Sequence, residues 1–284
     1  MDNIPILAGL GQIAGRYDCL LCDVWGVLHN GEHARRPAVE ALRRFRTQGP
    51  VILLSNAPRP ASDLVLQFAR VGVPADCYDG IMTSGMAARQ ALELRMRRGP
   101  LRLFHLGPER DRGVFAGLDV TLCEASDAEL ILCTGLYDDD HETPEDYRAR
   151  LRPAAEAGLG FICANPDLKV QRGSQLVYCA GALAALYEEL GGGVVYYGKP
   201  HRPIYEAALA LAAELGGHGI QRPLAIGDGL KTDVAGANQA GIDVLFIADG
   251  VHGEELGALN ERNLARLFAG AGAHAVGAMA ALMW

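Results

Sequence analysis

Residues 17–31, YDCLLCDVWGVLHNG, contain an apolar run that ends in a carboxylate and a glycine turn. An unbroken apolar run such as residues 19–22 is typical of a parallel strand that is covered on both faces. This strand would carry Asp23 at its carboxyl end. Ligands of open α/β sheets bind in the crevice beyond the carboxyl ends of the strands, so Asp23 is a candidate site residue.

A second strand of the same kind is predicted within residues 223–233, PLAIGDGLKTD. Its apolar residues lead into Asp228, and Asp233 follows in the same tract. Sequence distance does not prevent two strands from ending at the same edge of a sheet. We therefore expect Asp23 and Asp228 to share one site.

The composition limits the class of protein. The chain has 284 residues, half of them hydrophobic, which is enough for one large domain or two modest ones. A formal net charge of −8 argues against nucleic acid or an anionic membrane as the main partner. The sequence shows no basic leader and no charge-free apolar stretch of about 18 residues, so a cytoplasmic location is expected. Seven scattered cysteines fit reduced thiols better than a disulfide framework.

Strand and helix patterns alternate along most of the chain, which predicts an α/β fold with a parallel sheet. Besides the two strands above and a segment at 79–85, strands are predicted at 51–54, 101–106, 129–134, 160–164, 194–197 and 243–247. Helices are predicted at 37–48, 61–71, 86–98, 144–157, 181–190 and 204–215, and a further helix over Leu264 to Trp284. The strand at 194–197 is assigned to the same core as the strands that carry Asp23 and Asp228.

Four short signals stand at the predicted strand ends. They are DVWG at 23–26, SN at 55–56, GKP at 198–200, and GDG with TD at 227–233. Each is weak alone, because an Asp that closes a strand is often only a turn residue and a serine often caps a helix. Their order and placement make them informative together.

The chemistry of these signals is mutually consistent. A carboxylate that attacks phosphorus must approach a dianion, and Coulomb repulsion opposes this unless a cation intervenes. Asp228 beside Asp23 would hold Mg²⁺, which prefers carboxylate oxygens. Lys199 would supply a second positive charge, while the Ser55 hydroxyl would donate a hydrogen bond to a phosphoryl oxygen.

In this order, the four signals resemble those of the haloacid dehalogenase superfamily of phosphotransferases. The long insert between the Ser55 and Lys199 signals resembles that of the class IIA branch, which includes 4-nitrophenyl phosphatase-like and sugar-phosphatase-like proteins. The resemblance implies a Rossmann-like parallel-sheet core with helices on both faces, formed by 1–84 and 181–284. It also implies an inserted α/β cap of the C2 type at 85–180.

The resemblance also implies roles for individual residues. Asp23 would be the nucleophile and a Mg²⁺ ligand, and the backbone carbonyl of Trp25 a further ligand. Asp228 would bind the metal directly or through water, with Asp233 as a supporting carboxylate. The expected catalytic residues are Asp23, Ser55 and Lys199. The expected substrate-binding and phosphate-binding residues are Ser55, Asn56, Lys199, Trp25 and Asn165, although a turn held by Asx hydrogen bonds is an equal interpretation of Asn165.

Trp25 departs from the pattern, because phosphatases of this superfamily usually carry an acid two residues after the nucleophile. An indole cannot protonate a leaving alcohol, and general acid–base help is worth a factor of about 10²–10⁴ in rate. Three explanations are open. Another group such as His29, a cap residue or water donates the proton, or the leaving group is easily expelled, or the protein binds a phosphorylated ligand with little turnover.

The sequence thus favours a Mg²⁺-dependent phosphohydrolase that acts on a small phosphorylated metabolite, with a sugar phosphate preferred, through an aspartyl-phosphate. The alternative is a low-turnover or inactive phosphate-ligand-binding protein. Dehalogenation needs no metal, so Asp228 and Asp233 argue against it, and phosphonate cleavage would rely on Lys169, the one lysine of the expected cap. A homodimer is left open.

Overall fold

The computed structural model describes residues 4–172 and 175–284. The strands are β1 Cys19–Asp23, β2 Val51–Ser55, β3 Gly80–Thr83, β4 Leu101–Leu106, β5 Val120–Leu122, β6 Leu130–Cys133, β7 Gly160–Cys163, β8 Lys169–Arg172, β9 Gln175–Tyr178, β10 Val194–Tyr196, β11 Pro223–Gly227, β12 Asp243–Ile247 and β13 Gly277–Met279. The α-helices are α1 Arg36–Phe45, α2 Ala61–Val71, α3 Ser84–Met96, α4 Arg148–Glu156, α5 Ala180–Glu189, α6 Arg202–Gly216, α7 Ala235–Ala240, α8 Gly253–Leu256 and α9 Glu261–Ala269.

Short helical turns complete the secondary structure. The 3₁₀ turns are Leu10–Gln12, Ala14–Arg16, Ala75–Cys77, Glu109–Phe115 and Pro144–Tyr147, and a π-helical turn spans Leu230–Val234. The chain divides into two compact units. The first contains the residues up to Ser55 together with Ser62–Met82 and Lys199–Trp284, and the second contains Asn56–Ala61 and Thr83–Gly198.

The first unit is built on a parallel sheet with the strand order β13-β12-β11-β1-β2-β3. All five residues of β1 are buried, although their side chains alternate between the two faces of the sheet. Both faces of the central strand are therefore covered, as the unbroken apolar run predicts. Helix α1 has Pro37 in its first turn and packs an apolar stripe that includes Val39, Leu42 and Phe45.

The second unit contains a parallel sheet of order β10-β7-β6-β4-β5 and an antiparallel hairpin of β8 and β9. Alternate residues of the parallel strands enter two separate cores. Phe104 and Ile131 pack in the cluster that contains residues of α4 and α5, whereas Leu103 and Leu132 pack with residues of α3. Because side chains alternate between the two faces of each strand, both faces of this sheet are covered, and the second unit is also a layered α/β structure.

Two predictions of the sequence are wrong in this part of the structure. The strand at 194–197, predicted to belong to the core, is β10, which pairs with β7 in the second unit. That unit extends to Gly198, so α5 also lies in it, whereas the predicted cap ends at residue 180. Local pattern gives strand type but not pairing partner, because pairing depends on residues distant in sequence.

The predicted helix over Leu264 to Trp284 is also wrong beyond α9. The chain leaves the helix after Ala269 and forms β13, which pairs with β12 at the edge of the first sheet. Small residues fill this buried edge strand, and alanine alone does not decide between helix and strand when tertiary pairing is available.

None of the helices in residues 4–172 and 175–284 combines the length and apolar character needed to cross a lipid bilayer.

Candidate active site

Asp23 lies at the carboxyl end of the central strand, between the two other strand ends that the sequence predicts to carry site residues. It is aligned with Leu54 of β2, so Ser55 follows on one side. On the other side, Cys22 is aligned with Ile226 of β11, and Asp228 follows two residues later. The register of three parallel strands therefore presents Asp23, Ser55 and Asp228 at the same edge of the sheet.

Three carboxylates come together at this edge. Ligand oxygens of Asp23, Asp228 and Asp233 all lie within 4.8 Å of one another, and all three side chains are buried. The sequence predicts this convergence for Asp23 and Asp228. Asp233 joins them because the π-helical turn Leu230–Val234 carries its side chain back toward the end of β11.

Lys199 supplies the positive charge of the cluster. Its Nζ donates to Oδ1 of Asp23 and, over 2.7 Å, to Oδ1 of Asp233. The ammonium is buried as deeply as its two partners, with 5% of its side chain exposed. Hydrogen bonds between charged groups are among the strongest in proteins, so Lys199 fixes the relative position of the two carboxylates.

The electrostatics of the cluster follow from burial and from the surplus of negative charge. Burial raises the pKa of Asp23 well above its usual range, the Lys199 ammonium counteracts this, and Asp233 and Asp228 add to it. Burial and Asp233 likewise raise the pKa of Asp228. Burial alone would lower the pKa of Lys199, but Asp23 and Asp233 raise it well above its usual range, which keeps the ammonium charged.

The Asp228 carboxylate is enclosed by main chain. Its Oδ2 accepts a hydrogen bond of 2.8 Å from the Val251 N–H. A Cβ added to Gly26 would lie 2.0 Å from this oxygen, and one added to Gly250 would lie 1.9 Å from it. Glycine is therefore required at both positions for close approach. The Asp249-Gly250 pair after β12 is the local sequence signal for this turn.

The Asp233 carboxylate is held by its own turn. Its Oδ2 accepts from the Gly229 N–H over 3.2 Å and from the Thr232 hydroxyl over 3.0 Å. The Tyr205 hydroxyl of α6 donates to the Asp233 main-chain carbonyl over 3.3 Å. Thr232 lies in the TD signal, for which the sequence suggests a role only for Asp233. Tyr205 is not predicted, because no local signal distinguishes it from an ordinary core tyrosine.

Trp25 and His29 lie in the loop that follows Asp23. The Trp25 side chain is 52% exposed, while His29 has no exposed surface. Their rings meet edge to face with centroids 5.4 Å apart, and the Gly26 N–H donates to the His29 carbonyl over 3.0 Å. The loop is therefore closed on itself by main-chain bonds and by a pair of aromatic rings.

The other predicted residues, Asn56 and Asn165, belong to the second unit. The Asn56 amide donates to Oδ1 of Asp167 over 2.9 Å, and its carbonyl oxygen accepts from the Ser84 hydroxyl over 3.4 Å. Oδ1 of Asn165 accepts from the Asp167 N–H over 3.1 Å. This is an Asx turn, the second of the two interpretations that the sequence allows for Asn165.

Comparison with known proteins gives matches along the whole chain. Residues 20–121 match the model of the haloacid dehalogenase-like hydrolase family, and residues 196–268 match a second model, described as HAD-hydrolase-like. The ribonucleotide monophosphatase NagD of Escherichia coli K12 is 30% identical over 241 residues, which cover 82% of this chain and 88% of NagD. This chain belongs to the haloacid dehalogenase-like hydrolases.

Solved structures of haloacid dehalogenase-like hydrolases support the same family assignment. A haloacid dehalogenase-like hydrolase from Brucella suis 1330 is 44% identical with a TM-score of 0.81, covering 98% of this chain and 100% of its own. A glycerol phosphate phosphatase from Mycobacterium tuberculosis, solved in complex with calcium, is 26% identical with a TM-score of 0.68, covering 84% of this chain and 68% of its own. The predicted superfamily, its class IIA branch and the parallel-sheet α/β fold are confirmed.

The donor set of this haloacid dehalogenase-like site fits a hard divalent cation. Among residues 4–172 and 175–284, three buried carboxylates face the Lys199 ammonium, which leaves two uncompensated negative charges when all four groups are ionised. Such a cluster is unfavourable without a further cation, as the raised pKa of Asp23 indicates. Mg²⁺ takes oxygen ligands and is often bound by one or two carboxylates.

Proposed function

We propose that this chain is a magnesium-dependent phosphohydrolase that releases phosphate from monoesters of a small metabolite, sugar phosphates included, through an aspartyl-phosphate on Asp23. The observation that carries the proposal is the buried cluster of Asp23, Asp228 and Asp233 around Lys199. The names of the relatives support the reaction class, since NagD is a ribonucleotide monophosphatase and another relative is a glycerol phosphate phosphatase.

Asp23 is proposed as the nucleophile because it is the carboxylate at the end of the central strand and it contacts a fixed cation. Lys199 keeps that carboxylate oriented through Oδ1 and reduces its negative charge. A phosphoryl group that binds beside Asp23 would meet the same ammonium, which would stabilise charge that develops on the phosphoryl oxygens. The hydroxyl of Ser55, the last residue of β2 at the same edge, would donate a hydrogen bond to this group.

Mg²⁺ would be held by Asp23, by Asp228 and by the Trp25 main-chain carbonyl, with Asp233 in support. The cation, when bound, offsets the repulsion between an anionic nucleophile and a phosphoryl dianion. Gly26 and Gly250 allow the Asp228 carboxylate to reach this position, and the Val251 N–H fixes its orientation. Asn56 and Asn165 stay candidate substrate-binding residues.

Phosphate release from a panel of phosphomonoesters, measured with Mg²⁺ and with EDTA, tests the proposal. We expect Mg²⁺-dependent release by the native protein and a loss of at least about 10³-fold in Asp23→Asn, since removal of a nucleophile abolishes the covalent route. Asp76→Asn is the matched control, because it makes the same chemical change on an exposed side chain of the same unit. Release that is equal in Asp23→Asn and native protein would contradict the mechanism.

The alternative of a phosphate-ligand-binding protein with little turnover gains no support from the relatives, which include a ribonucleotide monophosphatase, a D-glycerol 3-phosphate phosphatase and a 5'-nucleotidase. It predicts metal-assisted ligand binding with negligible release in the same assay, so one experiment separates the two functions.

A further inference from the structure

We propose that this enzyme acts on phosphorylated compounds whose leaving group departs without protonation, such as aryl or enol phosphate esters, acyl phosphates, or the anomeric phosphate of a sugar. The inference rests on the proposed function and narrows its substrate class. It is carried by the loop that follows Asp23. Trp25 stands two residues after Asp23, where phosphatases of this superfamily usually carry an acid, and the neighbouring His29 imidazole is fully buried.

Trp25 is held in place by its own loop. Its ring packs edge to face on His29 at 5.4 Å and lies over Gly31, where an added Cβ would come within 2.5 Å of the indole. Gly31 has φ of +93°, a backbone conformation that glycine adopts readily. The position therefore presents a fixed apolar ring, and the indole N–H does not act as an acid at neutral pH.

His29 does not replace the missing acid. Its side chain is 0% exposed, so neither ring nitrogen is open to a bound substrate. Nδ1 accepts the Gly31 N–H over 3.0 Å, and the ring is packed edge to face against Phe68 at 6.0 Å as well as against Trp25. These contacts give His29 a structural role, that of shaping the loop beneath Trp25.

The charged side chains beside Asp23 are already paired with one another or assigned to the proposed metal site. Lys199 donates to two carboxylates, and Asp228 and Asp233 belong to the proposed metal site. A proton leaving Lys199 would remove the positive charge that offsets Asp23 and Asp233. Asp23 thus provides the nucleophile and the charged cluster stabilises charge. Neither the cluster nor the loop that follows Asp23 provides a proton for the leaving oxygen.

The consequence for the first step is that the leaving oxygen departs as an anion. An Asp23 carboxylate oxygen forms a bond to phosphorus, the bond from phosphorus to the leaving oxygen breaks, and its electron pair stays on that oxygen. Phenolates, enolates, carboxylates and anomeric oxyanions carry this charge far better than simple alkoxides. The lost acid help corresponds to a factor of about 10²–10⁴ in rate for a basic leaving group.

The second step, hydrolysis of the aspartyl-phosphate, does not depend on the leaving group of the ester. Water attacks phosphorus, the bond between phosphorus and Asp23 breaks, and the water proton passes to bulk solvent because no base stands at position 25. The leaving group is now the Asp23 carboxylate, whatever the ester was. For good substrates this step limits turnover, so an initial burst of about one product molecule per enzyme is expected before the steady state.

The test is a leaving-group series in native protein with Mg²⁺: 4-nitrophenyl phosphate, phenyl phosphate, acetyl phosphate and glycerol phosphate. We expect kcat/KM to fall by about 10²-fold or more from 4-nitrophenyl to glycerol phosphate, with kcat nearly constant among the good substrates and a burst of 4-nitrophenolate. Trp25→Asp should raise kcat/KM for glycerol phosphate at least about tenfold and flatten the series. Trp25→Phe, which also lacks an acid, should keep the steep dependence.

The possible failures are distinguishable. A flat series in native protein that still depends on Asp23 would overturn this inference alone, since it would require a proton donor elsewhere in the chain. Absence of Asp23-dependent release from every ester, 4-nitrophenyl phosphate included, would overturn the proposed function and this inference together.

Discussion

Gly26, three residues after the proposed nucleophile, shows how closely main chain and carboxylate approach each other in this site. Its φ is +78°, and an added Cβ would lie 2.0 Å from Oδ2 of Asp228. We expect Gly26→Ala to combine a left-handed backbone penalty of about 1–2 kcal/mol with displacement of the Asp228 carboxylate. Mg²⁺-dependent phosphate release should fall at least about tenfold, because a shift of about 1 Å in a catalytic group can cost more than this.

Gly72 provides the matched control for this prediction. It has φ of +80°, but an added Cβ would meet no atom within 4 Å. Gly72→Ala should therefore show the left-handed backbone penalty alone, about 1–2 kcal/mol, with nearly native phosphate release. Equal activity in the two variants, measured by phosphate release beside urea unfolding, would show that Asp228 tolerates displacement.

Residue identity also decides the electrostatic character of the site. Lys199 is the ammonium that contacts both Asp23 and Asp233, and all three side chains are buried. A buried charge that loses its partner is strongly destabilising. These buried charges are therefore stable only together. The lysine requires its carboxylate partners, and the surplus of carboxylates requires a further cation.

At the scale of elements, the edge of the first sheet is completed by the C-terminal strand β13. The Ala278 N–H donates to the Pro5 carbonyl over 2.9 Å, and its own carbonyl accepts from the Leu7 N–H over 2.8 Å. Ala278 thus joins an N-terminal segment to β12, with which it is aligned through Phe246. The two ends of the chain stabilise each other at this edge.

We predict that Ala278→Pro destabilises the protein by about 3 kcal/mol, because proline has no N–H to donate and its ring crowds the neighbouring chain. Ala278→Gly is the control, since it keeps the N–H and loses only a buried methyl group, at about 1 kcal/mol. Urea denaturation followed by circular dichroism measures both. A proline variant no less stable than the glycine variant would mean that pairing with Pro5 contributes little.

The strands differ in how far their place in the fold can be predicted from the local sequence pattern. The strands β1, β2, β11 and β12 are short apolar runs with a polar residue or a turn at the carboxyl end, and the sequence identifies each of them. The strand β10 has the same local character but pairs with β7 in the second unit. Its assignment depends on pairing across residues 163 to 194, which no window of sequence contains.

At the scale of the whole molecule, metal binding should be linked to stability. A ligand that binds the folded state alone stabilises it by RT ln(1 + [L]/Kd), about 2.7 kcal/mol at one hundred times Kd. We expect saturating Mg²⁺ to raise the thermal unfolding midpoint by several degrees over EDTA. The shift should disappear in Asp228→Asn, which removes one charge from the proposed ligand set.

The control for this measurement is Asp76→Asn, which removes the same charge from the surface of the first unit and should keep the full shift. Thermal unfolding is followed by scanning calorimetry at constant ionic strength, with Na⁺ replacing Mg²⁺ in the reference, because the net charge of −8 makes the protein sensitive to salt in general. A midpoint that does not respond to Mg²⁺ in native protein would argue against a resident metal.

The sequence determines the identities and order of the chemical groups. Apolar runs predict strands, and the residue at the end of each run can be read directly. The four short motifs at predicted strand ends indicate the family. All of these properties depend on neighbours along the chain. Trp25 in place of an acid is equally a fact of sequence.

Tertiary structure alone decides the distances and the surroundings. It sets the distances among Asp23, Asp228 and Asp233, encloses Asp228 with Gly26 and Gly250, and buries His29. It also makes the last residues an edge strand instead of a helix. The physical reason is common to all of these: burial, strand pairing and close approach depend on groups far apart in sequence, whose meeting is fixed only when the sheet forms.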